Sequence, residues 1–235
     1  LNMENKNSLS RRSFLKDSAI GSIGLVGGIN ILSSCSSDKS KKGELKLPKL
    51  LDQAPDGKVL KAGLIGCGGR GTGAAMDFLD AGPNLQIVAL GDVFQDKLDS
   101  CREILKKERN VEIPDENCFI GFDSYEKVID SGVDVVLLCT PPHFRPAHVE
   151  AAVNAQKHIF MEKPIAVDPF GVRKVLAAVK RAKTLNLNIV SGTIRRSQKD
   201  YIETRRRVLN GEIGDIVGAN IIRNGGALWY RTRKP

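Results

Sequence analysis

Apolar residues are grouped along this chain in runs that predict β-strands, and each run is followed by a pattern that predicts a helix. The first run, residues 59–65, is typical of a buried parallel strand, and residues 72–81 carry apolar side chains at helical spacing without a proline. Similar runs predict strands at 85–90, 115–122, 133–139, 157–161 and 188–192, and helices are predicted at 96–108, 125–129, 146–155 and 169–185. This alternation predicts an α/β fold in which a parallel sheet is covered by helices on both faces.

The C-terminal residues follow a different pattern. A helix is predicted for residues 199–209, where Asn210-Gly211 ends it, and residues 213–222 are predicted to form a strand. A single strand cannot bury its apolar face. We therefore expect residues 193–235 to begin a second domain, whose exposed strand is covered either by a continuation of the chain or by a partner.

The N-terminal residues contain a basic segment followed by an apolar one. Residues 10–16 read SRRSFLK, and the uncharged apolar stretch at 19–32 is too short for a stable membrane-spanning helix. The arginine pair resembles a twin-arginine export signal, which predicts recognition of residues 1–35 by the twin-arginine translocase. An amphipathic leader of another kind is the alternative.

The end of this apolar stretch predicts a lipid anchor. Residues 32–35, LSSC, resemble a bacterial lipobox, in which Cys35 carries the lipid and becomes the mature N-terminus. An ordinary cleavage site with an incidental cysteine is the alternative. Residues 36–57 are rich in Ser, Lys, Asp, Pro and Gly and predict a flexible tether. We therefore expect a protein that is exported to the periplasm or cell envelope and held at the membrane through Cys35.

The formal net charge of +9 does not indicate a nucleic-acid-binding protein. Residues 59–194 carry a net charge of −1, so the excess lies at the two ends, with +4 in residues 1–58 and +6 in residues 195–235. Aromatic residues make up 5% of the chain, which is too few for the stacking surface of a single-strand binder. We expect no nucleic-acid partner.

The cysteines and histidines do not form a metal-binding pattern. The five cysteines include no C-x-x-C pair, and the three histidines have no cysteine or carboxylate at metal-ligand spacing. Cys67 and Cys139 lie in or beside predicted strands, where cysteine usually acts as a small buried apolar residue. No metal site is predicted.

A glycine-rich motif, Gly66-Cys67-Gly68-Gly69-Arg70-Gly71, lies between the first predicted strand and the first predicted helix. In this context Gly66 makes the tight turn, Gly68 lets the backbone approach a pyrophosphate, and Gly71 lets the helix pack on the strand. The phosphates would lie at the positive end of the helix dipole. Asp92, 21 residues after Gly71, has the position of a carboxylate that binds a ribose hydroxyl. The pattern favours a doubly wound, dinucleotide-binding Rossmann fold over a flexible glycine turn.

A second loop is predicted at the same edge of the sheet. The strand at 133–139 must end at Thr140-Pro141-Pro142, because proline cannot donate to a β-ladder. The loop that follows therefore opens at the carboxyl edge of the sheet, where open α/β sheets bind ligands.

Three segments together resemble the glucose-fructose oxidoreductase and inositol dehydrogenase superfamily, written Gfo/Idh/MocA. They are the glycine motif, Thr140-Pro141, and residues 157–164, KHIFMEKP. Residues 192–196, 211–217 and 226–231 are similar to a secreted bacterial branch of the family. The resemblance implies a Rossmann domain over residues 58–192 and, from residue 193, an α+β domain on an open, mostly antiparallel sheet. It also implies an oxidoreductase that uses NAD or NADP on a carbon of a sugar or cyclitol.

The resemblance assigns roles to individual residues. Lys163 matches the family lysine beside the nicotinamide, which positions the substrate hydroxyl and relays its proton, so Lys163 is the predicted catalytic residue. Asp92 matches the adenosine-ribose position, where a carboxylate repels a 2′-phosphate; NAD is favoured, while Arg70 leaves NADP open. Arg145 takes a position where many members have histidine, and His143 stands just before it. The predicted cofactor-binding residues are Gly66, Gly68, Gly69, Arg70, Gly71, Asp92, Thr140, Pro141, His143, Glu162 and Lys163.

The resemblance also implies that this sequence lacks most of the substrate pocket of such an enzyme. The Asp and His that complete the catalytic group in the family would lie beyond Pro235. Arg195, Arg196 and Trp229 are candidates for substrate contacts, with a structural salt bridge or core packing as the alternative. The resemblance also implies a homo-oligomer formed through an exposed sheet face.

Three functions are compatible with these features. The first, which we favour, is an exported oxidoreductase that holds its cofactor tightly and recycles it by paired oxidation and reduction, because the envelope offers no free dinucleotide pool. The second is an NAD-dependent glycoside hydrolase of the same superfamily, in which transient oxidation lets the glycosidic bond eliminate outside the usual two-carboxylate scheme. The third is a non-catalytic envelope lipoprotein that keeps the fold for binding or assembly.

Overall fold

The computed structural model describes residues 57–222 and 224–225. The strands are β1 (Leu60–Ile65), β2 (Leu85–Asp92), β3 (Cys118–Ile120), β4 (Val135–Leu138), β5 (His158–Met161) and β6 (Ile189–Ser191). The helices of these residues are α1 (Gly69–Asp80), α2 (Gln95–Arg109), α3 (Ser124–Asp130), α4 (Arg145–Asn154), α5 (Pro169–Thr184), α6 (Ile194–Ser197) and α7 (Lys199–Leu209). A short 3₁₀ helix, Asp115–Asn117, precedes β3.

All six strands run parallel in one sheet, in the order β3-β2-β1-β4-β5-β6. The central strand β1 pairs with β2 on one side and β4 on the other, so that Leu64 lies opposite both Leu90 and Leu137. The strand order reverses at β1, and the loops after β1 and β4 separate at the carboxyl edge. Such a switch point is where open α/β sheets bind ligands. The predicted doubly wound parallel sheet is confirmed.

Side chains of β1 are shared between two hydrophobic cores, because successive residues of a strand point to opposite faces. Ala62 and Leu64 are fully buried on one face, in a cluster that includes Leu98 and Leu105 of α2. Ile65 is buried on the other face. The helices that cover that face, α3, α4 and α5, contribute Val128, Val149 and Val175. Both faces are therefore closed, and the carboxyl edge is left for ligands.

The strand predicted for residues 213–222 is wrong. These residues have no regular secondary structure, and Val217 and Ile221 are almost completely exposed. An apolar sequence forms a strand only where a neighbouring strand offers hydrogen-bond partners, and within the described residues the sheet ends at β6. The strand predicted at 115–122 is also shorter than expected, because its first residues form the 3₁₀ helix and only Cys118–Ile120 pair with β2.

The other predicted elements agree with the structure to within three residues at each end, and the helix at 199–209 has the predicted bounds. The export signal, Cys35 and nearly all of the tether lie outside the described residues, as does Trp229. Of residues 193–235, the described part contains α6 and α7, so the second domain stays a prediction. Among the described helices, none has the length and apolar character needed to cross a membrane.

Candidate functional site

The glycine motif makes the tight connection between β1 and α1. Gly66 has φ +96°, and a Cβ there would lie 2.8 Å from the backbone nitrogen of Thr140. A Cβ on Gly71 would lie 2.9 Å from the carbonyl carbon of Gly66 and would overlap its oxygen. Both positions require glycine, because the first has a left-handed backbone and the second brings α1 onto the end of β1. These contacts correspond to the turn and packing roles predicted for the two residues.

Gly68 and Gly69 face open space instead. A Cβ on either residue would meet no atom within 4 Å. Gly68 is the N-cap of α1 and offers no side chain to the helix, so the N–H groups of the first turn lack a capping acceptor. The 12-residue helix also carries partial positive charge at this end. The start of α1 therefore suits a phosphate group.

Asp92 is held at the end of β2 by two backbone N–H groups. Its Oδ2 accepts from the Cys67 N–H at 2.6 Å, and its Oδ1 accepts from the Phe94 N–H at 2.9 Å. The first bond joins the carboxylate to the glycine motif, and both line one cleft. Each carboxylate oxygen keeps a second lone pair, so Asp92 can still accept from ligand hydroxyl groups.

Arg70 and Glu162, both predicted to bind the cofactor, bind each other. Arg70 Nε donates to Glu162 Oε1 at 2.7 Å, and Arg70 Nη1 lies 3.8 Å from Asp77. The Glu162 side chain is 7% exposed, whereas that of Arg70 is 55% exposed. The hydrogen bond with Glu162 raises the pKa of Arg70. The pair joins the start of α1 to the loop after β5.

Lys163 lies on the loop after β5 and is exposed at the cleft. Its backbone N–H donates to Glu162 Oε2 at 3.3 Å. Thr140 and Pro141, from the loop after β4, line the same cleft. The structure thus brings together the residues that were predicted to surround the nicotinamide.

The cleft has a volume of about 930 Å³. Sites for small molecules and cofactors typically measure about 300–1,000 Å³. The predicted cofactor-binding residues that line it are Gly66, Gly68, Arg70, Asp92, Thr140, Pro141, Glu162 and Lys163. Gly69 and Gly71 belong to the motif but not to the lining, and His143 packs edge-on against Phe144 at 5.2 Å. His143 therefore lies beside the cleft.

One wall of the cleft contains a histidine that the sequence patterns did not single out. His148 is buried and stacks on Tyr125 at 4.2 Å, and its Nδ1 lies 3.3 Å from the Thr140 hydroxyl. Burial lowers the pKa of His148 to about 4, so the ring is neutral at pH 7. Phe144 stacks on His148 with the ring centres 6.1 Å apart, Phe122 lies tilted against Phe144, and both phenylalanines line the cleft. Phe122 lies between β3 and α3 and Phe144 lies between β4 and α4, in segments at the carboxyl edge of the sheet. Open α/β sheets bind ligands at this edge, and that position is the sequence signal that could have identified the two residues.

Arg145, which stands where many family members have histidine, is also buried. The residue is 4% exposed and begins α4, and its Nη1 donates to the carbonyl oxygen of Pro164. Its Nε is buried without a hydrogen-bond partner among the described residues. Burial lowers the pKa of the guanidinium. Arg145 therefore contacts the loop that carries Lys163.

The structure does not bring Arg195 and Arg196, two of the predicted substrate residues, to the cleft. Arg195 Nη1 donates to Gln198 Oε1 at 2.9 Å, and the guanidinium carbon lies 4.7 Å from the centre of the Tyr201 ring. Neither Arg195 nor Arg196 lines the cleft. The observed contacts of Arg195 are structural ones, with residues at and just before the start of α7.

The cleft offers carboxylates, amines and backbone groups rather than reactive thiols. Burial raises the pKa of Cys139 to about 12, and Cys67 and Cys101 are buried free thiols. A thiol that stays protonated is a poor nucleophile. In the part of the chain that the structure describes, no group of three or more His, Cys, Asp or Glu side chains is arranged to hold a metal ion.

Known proteins are similar to this chain in sequence and in fold. Residues 60–188 match the Gfo/Idh/MocA family model, described as an oxidoreductase family with an NAD-binding Rossmann fold. The chain is 28% identical over 155 residues to the myo-inositol 2-dehydrogenase of Thermotoga maritima. It is 26% identical over 155 residues to the scyllo-inositol 2-dehydrogenase (NAD(+)) of Bacillus subtilis. Each match covers 66% of this chain and 42% of the relative.

A solved structure extends the likeness to three dimensions. The scyllo-inositol dehydrogenase of Lactobacillus casei, with bound NAD(H) and scyllo-inositol, has a TM-score of 0.57 at 28% identity. The match covers 67% of this chain and 43% of that one, so the chain spans less than half the length of these relatives. The family match covers more than half of the chain and includes the glycine motif, Asp92 and Lys163. The chain therefore belongs to the Gfo/Idh/MocA family, an oxidoreductase family with an NAD-binding Rossmann fold, and it is related to the inositol dehydrogenases.

Proposed function

We propose that the chain is the cofactor-binding part of an NAD-dependent dehydrogenase that oxidises a hydroxyl-bearing carbon of a cyclitol or sugar. The observation that carries this proposal is a single cleft bordered by the start of α1, the Asp92 carboxylate and the Lys163 loop. A dinucleotide needs a helix N-terminus for its pyrophosphate and a carboxylate for its ribose, and oxidation of an alcohol needs an acid–base group. The inositol dehydrogenases among the relatives indicate the substrate class.

The residues of the cleft fit a dinucleotide, and they favour NAD. The open space at Gly68 and Gly69 admits a pyrophosphate against the start of α1, and Asp92 offers acceptors to a ribose diol. A carboxylate at that position repels a 2′-phosphate. Arg70, a cation that could bind such a phosphate, is paired with Glu162.

Lys163 is the acid–base group in this proposal. When bound, the nicotinamide supplies the acceptor or donor of a hydride. Oxidation of an alcohol also releases the hydroxyl proton, and the Nζ of Lys163 takes up this proton and passes it to solvent. Thr140 and Pro141 form the cleft wall next to Lys163, and the buried ring of His148 orients the Thr140 hydroxyl.

The first experiment identifies the cofactor. Full-length mature protein, purified without added nucleotide, is examined by native mass spectrometry and acid release. We expect NAD to be recovered, because a protein exported without access to a nucleotide pool must keep its cofactor. A protein that is empty and also fails to bind added NAD would refute the proposal.

The second experiment tests the chemistry. A retained cofactor must pass its hydride to a second substrate before the next turnover. Conversion of myo-inositol, scyllo-inositol and a panel of sugars to ketone products is therefore measured by mass spectrometry with a carbonyl compound present as hydride acceptor. Lys163→Met should lower turnover by about 10²- to 10⁴-fold while NAD stays bound. Lys107→Met, at an exposed position of α2, is the matched control. Cleavage of a chromogenic glycoside without net oxidation would favour the hydrolase instead.

The proposed location is the cell envelope, on the basis of residues 10–16 and the lipobox at Cys35. Lipid at Cys35 would hold the protein in the membrane fraction, because each CH₂ group of an acyl chain buried in the bilayer contributes about 0.8 kcal/mol. Cys35→Ala should move the exported protein to the soluble fraction. Replacement of Arg11-Arg12 by two lysines should keep the precursor inside the cell; export of that variant at the parent's rate would contradict the twin-arginine assignment.

A further inference from the structure

The backbone of Lys163 lies between two arginines that come from different helices. On one side, Arg145 from the start of α4 donates to the carbonyl oxygen of the following residue, Pro164. On the other side, Arg70 from the start of α1 donates to the side chain of the preceding residue, Glu162. The loop that carries Lys163 is thus tied to two helices on opposite sides of the sheet's switch point.

Arg145 lies at a position that is unfavourable for an arginine in two respects, its burial and its place at the N-terminus of a helix. Its side chain is buried, and its contacts with described residues include no ion pair. It also places a cation at the N-terminus of a helix, which is the positive end of the dipole. A buried guanidinium with an unpaired Nε costs free energy that a hydrophobic side chain would not. Residues that break such rules are typically kept for a functional site.

The contact of Arg70 reaches Lys163 through a chain of two hydrogen bonds. Arg70 Nε donates to Glu162 Oε1 at 2.7 Å, and Glu162 Oε2 accepts the Lys163 backbone N–H at 3.3 Å. The hydrogen bond between Arg70 and Glu162 is charge-assisted, because it joins a guanidinium to a carboxylate. The Glu162 side chain is almost fully buried, so water has little access to its carboxylate. Breaking this hydrogen bond would leave a buried carboxylate without its cation.

We propose that Arg145 and Arg70 are positioning residues, which hold the Lys163 backbone from both sides so that its amine stays at the cleft. The role rests on the proposed function of Lys163. Neither arginine is assigned to the reacting atoms, because Arg145 donates to the carbonyl oxygen of Pro164 and Arg70 donates to the carboxylate of Glu162. A catalytic group displaced by about 1 Å can lose about 100-fold in rate, so two such contacts have a measurable effect.

Hydrogen exchange tests this role without any assay of activity. Exchange in the segment 162–165 is followed by mass spectrometry in Arg145→Met, Arg145→Lys and Arg70→Met of the full-length mature protein. We expect exchange in this segment to be about tenfold faster or more in the two methionine variants, and closer to the parent in Arg145→Lys, which keeps one donor. Arg102→Met, whose partly buried arginine pairs with Asp115 and does not line the cleft, should match the parent. Because Arg70 is half exposed, its variant is expected to fold even if Arg145→Met does not.

The kinetic constants then distinguish positioning from general stabilisation. In both methionine variants kcat should fall by about 10- to 100-fold while the KM for substrate changes by less than about threefold. The Kd for NAD should also change by less than about threefold in Arg145→Met, since Arg145 is not among the predicted cofactor-binding residues. Unchanged exchange in 162–165, equal acceleration across the whole domain, or an unchanged kcat would each overturn the role of the two arginines. Absence of turnover and NAD binding in the parent would instead count against the proposed function, and the exchange result would remain as the separate test of the loop contacts.

Discussion

Alanine at position 71 tests the close packing of α1 on β1. The added Cβ would lie 2.9 Å from the Gly66 carbonyl carbon, would overlap its oxygen, and would lie 3.3 Å from the Cβ of Cys139. Because the atoms that the added Cβ would meet are mainly backbone atoms, which cannot move aside easily, we place the loss of stability at the upper end of the range for overpacking, about 3 kcal/mol. Alanine recovers about 1 kcal/mol of helix propensity relative to glycine. We therefore expect Gly71→Ala to lower the free energy of unfolding by about 2 kcal/mol.

Alanine at position 68 is the matched substitution in the same motif. Gly68 has an extended backbone, with φ −66° and ψ 176°, which any residue can adopt, and its Cβ would meet no atom within 4 Å. The stability of Gly68→Ala should therefore equal that of the parent. The new methyl group enters the space that we assign to the pyrophosphate, so the affinity for NAD should fall by about tenfold or more, as expected when hydrogen bonds to a charged group are lost.

Both variants are compared with the parent by thermal unfolding with and without NAD, and by calorimetric titration with NAD. The unfolding temperature of Gly71→Ala should fall by about 4–8 °C. That of Gly68→Ala should match the parent without NAD and rise less than the parent's when NAD is added. If Gly71→Ala is as stable as the parent, the packing argument is wrong; if Gly68→Ala binds NAD as the parent does, the pyrophosphate lies elsewhere.

Further substitutions test the core, the buried histidine and the choice of cofactor. Leu64→Ala, at a fully buried position, should lower the free energy of unfolding by about 2–5 kcal/mol. Leu176→Ala, at a half-exposed position of α5, should change this free energy little. Equal losses in the two variants would contradict the observed burial. Burial lowers the pKa of His148 to about 4. Between about pH 6.5 and about pH 4 the unfolded chain therefore binds a proton at this histidine that the folded chain does not. The free energy of unfolding should fall by about 3 kcal/mol over this range as the pH drops. Urea unfolding should show a smaller loss over this range in His148→Phe. Asp92→Ser should lower the ratio of NAD affinity to NADP affinity by about tenfold or more, and an unchanged ratio in calorimetric titrations would show that Asp92 does not select the nucleotide.

The fold could be predicted because its signals are local. The apolar run at 59–65, the glycine motif and the helical pattern after it specify strand, turn and helix within about twenty residues, and the structure has all three. The strand predicted at 213–222 had the same kind of apolar signal but is wrong, because strand formation depends on a neighbour and the described part of the sheet provides none there. The apolar pattern of a segment indicates a preference for a strand, but the segment forms one only where a neighbouring strand pairs with it.

The contacts within the site could be predicted less well, because they join distant residues. Arg70 and Glu162 are 92 positions apart, and only the order of the strands brings the loops after β1 and β5 together. Arg145 carries a charge, which favours exposure, and nothing near it in the sequence indicates a buried position. The sequence therefore identified which loops form the cleft but not which of their charged groups bind each other.

The pairing of β1 with β4 has a consequence for the nascent chain. Gly66 is packed against the backbone at Cys139 and Thr140, so the glycine motif and the wall opposite it are joined through strands about 70 positions apart in sequence. Contacts of such separation form only after a large loop has closed. A nascent chain released as far as α3 contains the complete motif and Asp92 but lacks this wall. During synthesis, the capacity to retain a dinucleotide should therefore emerge only after β4 and the loop that follows it have left the ribosome.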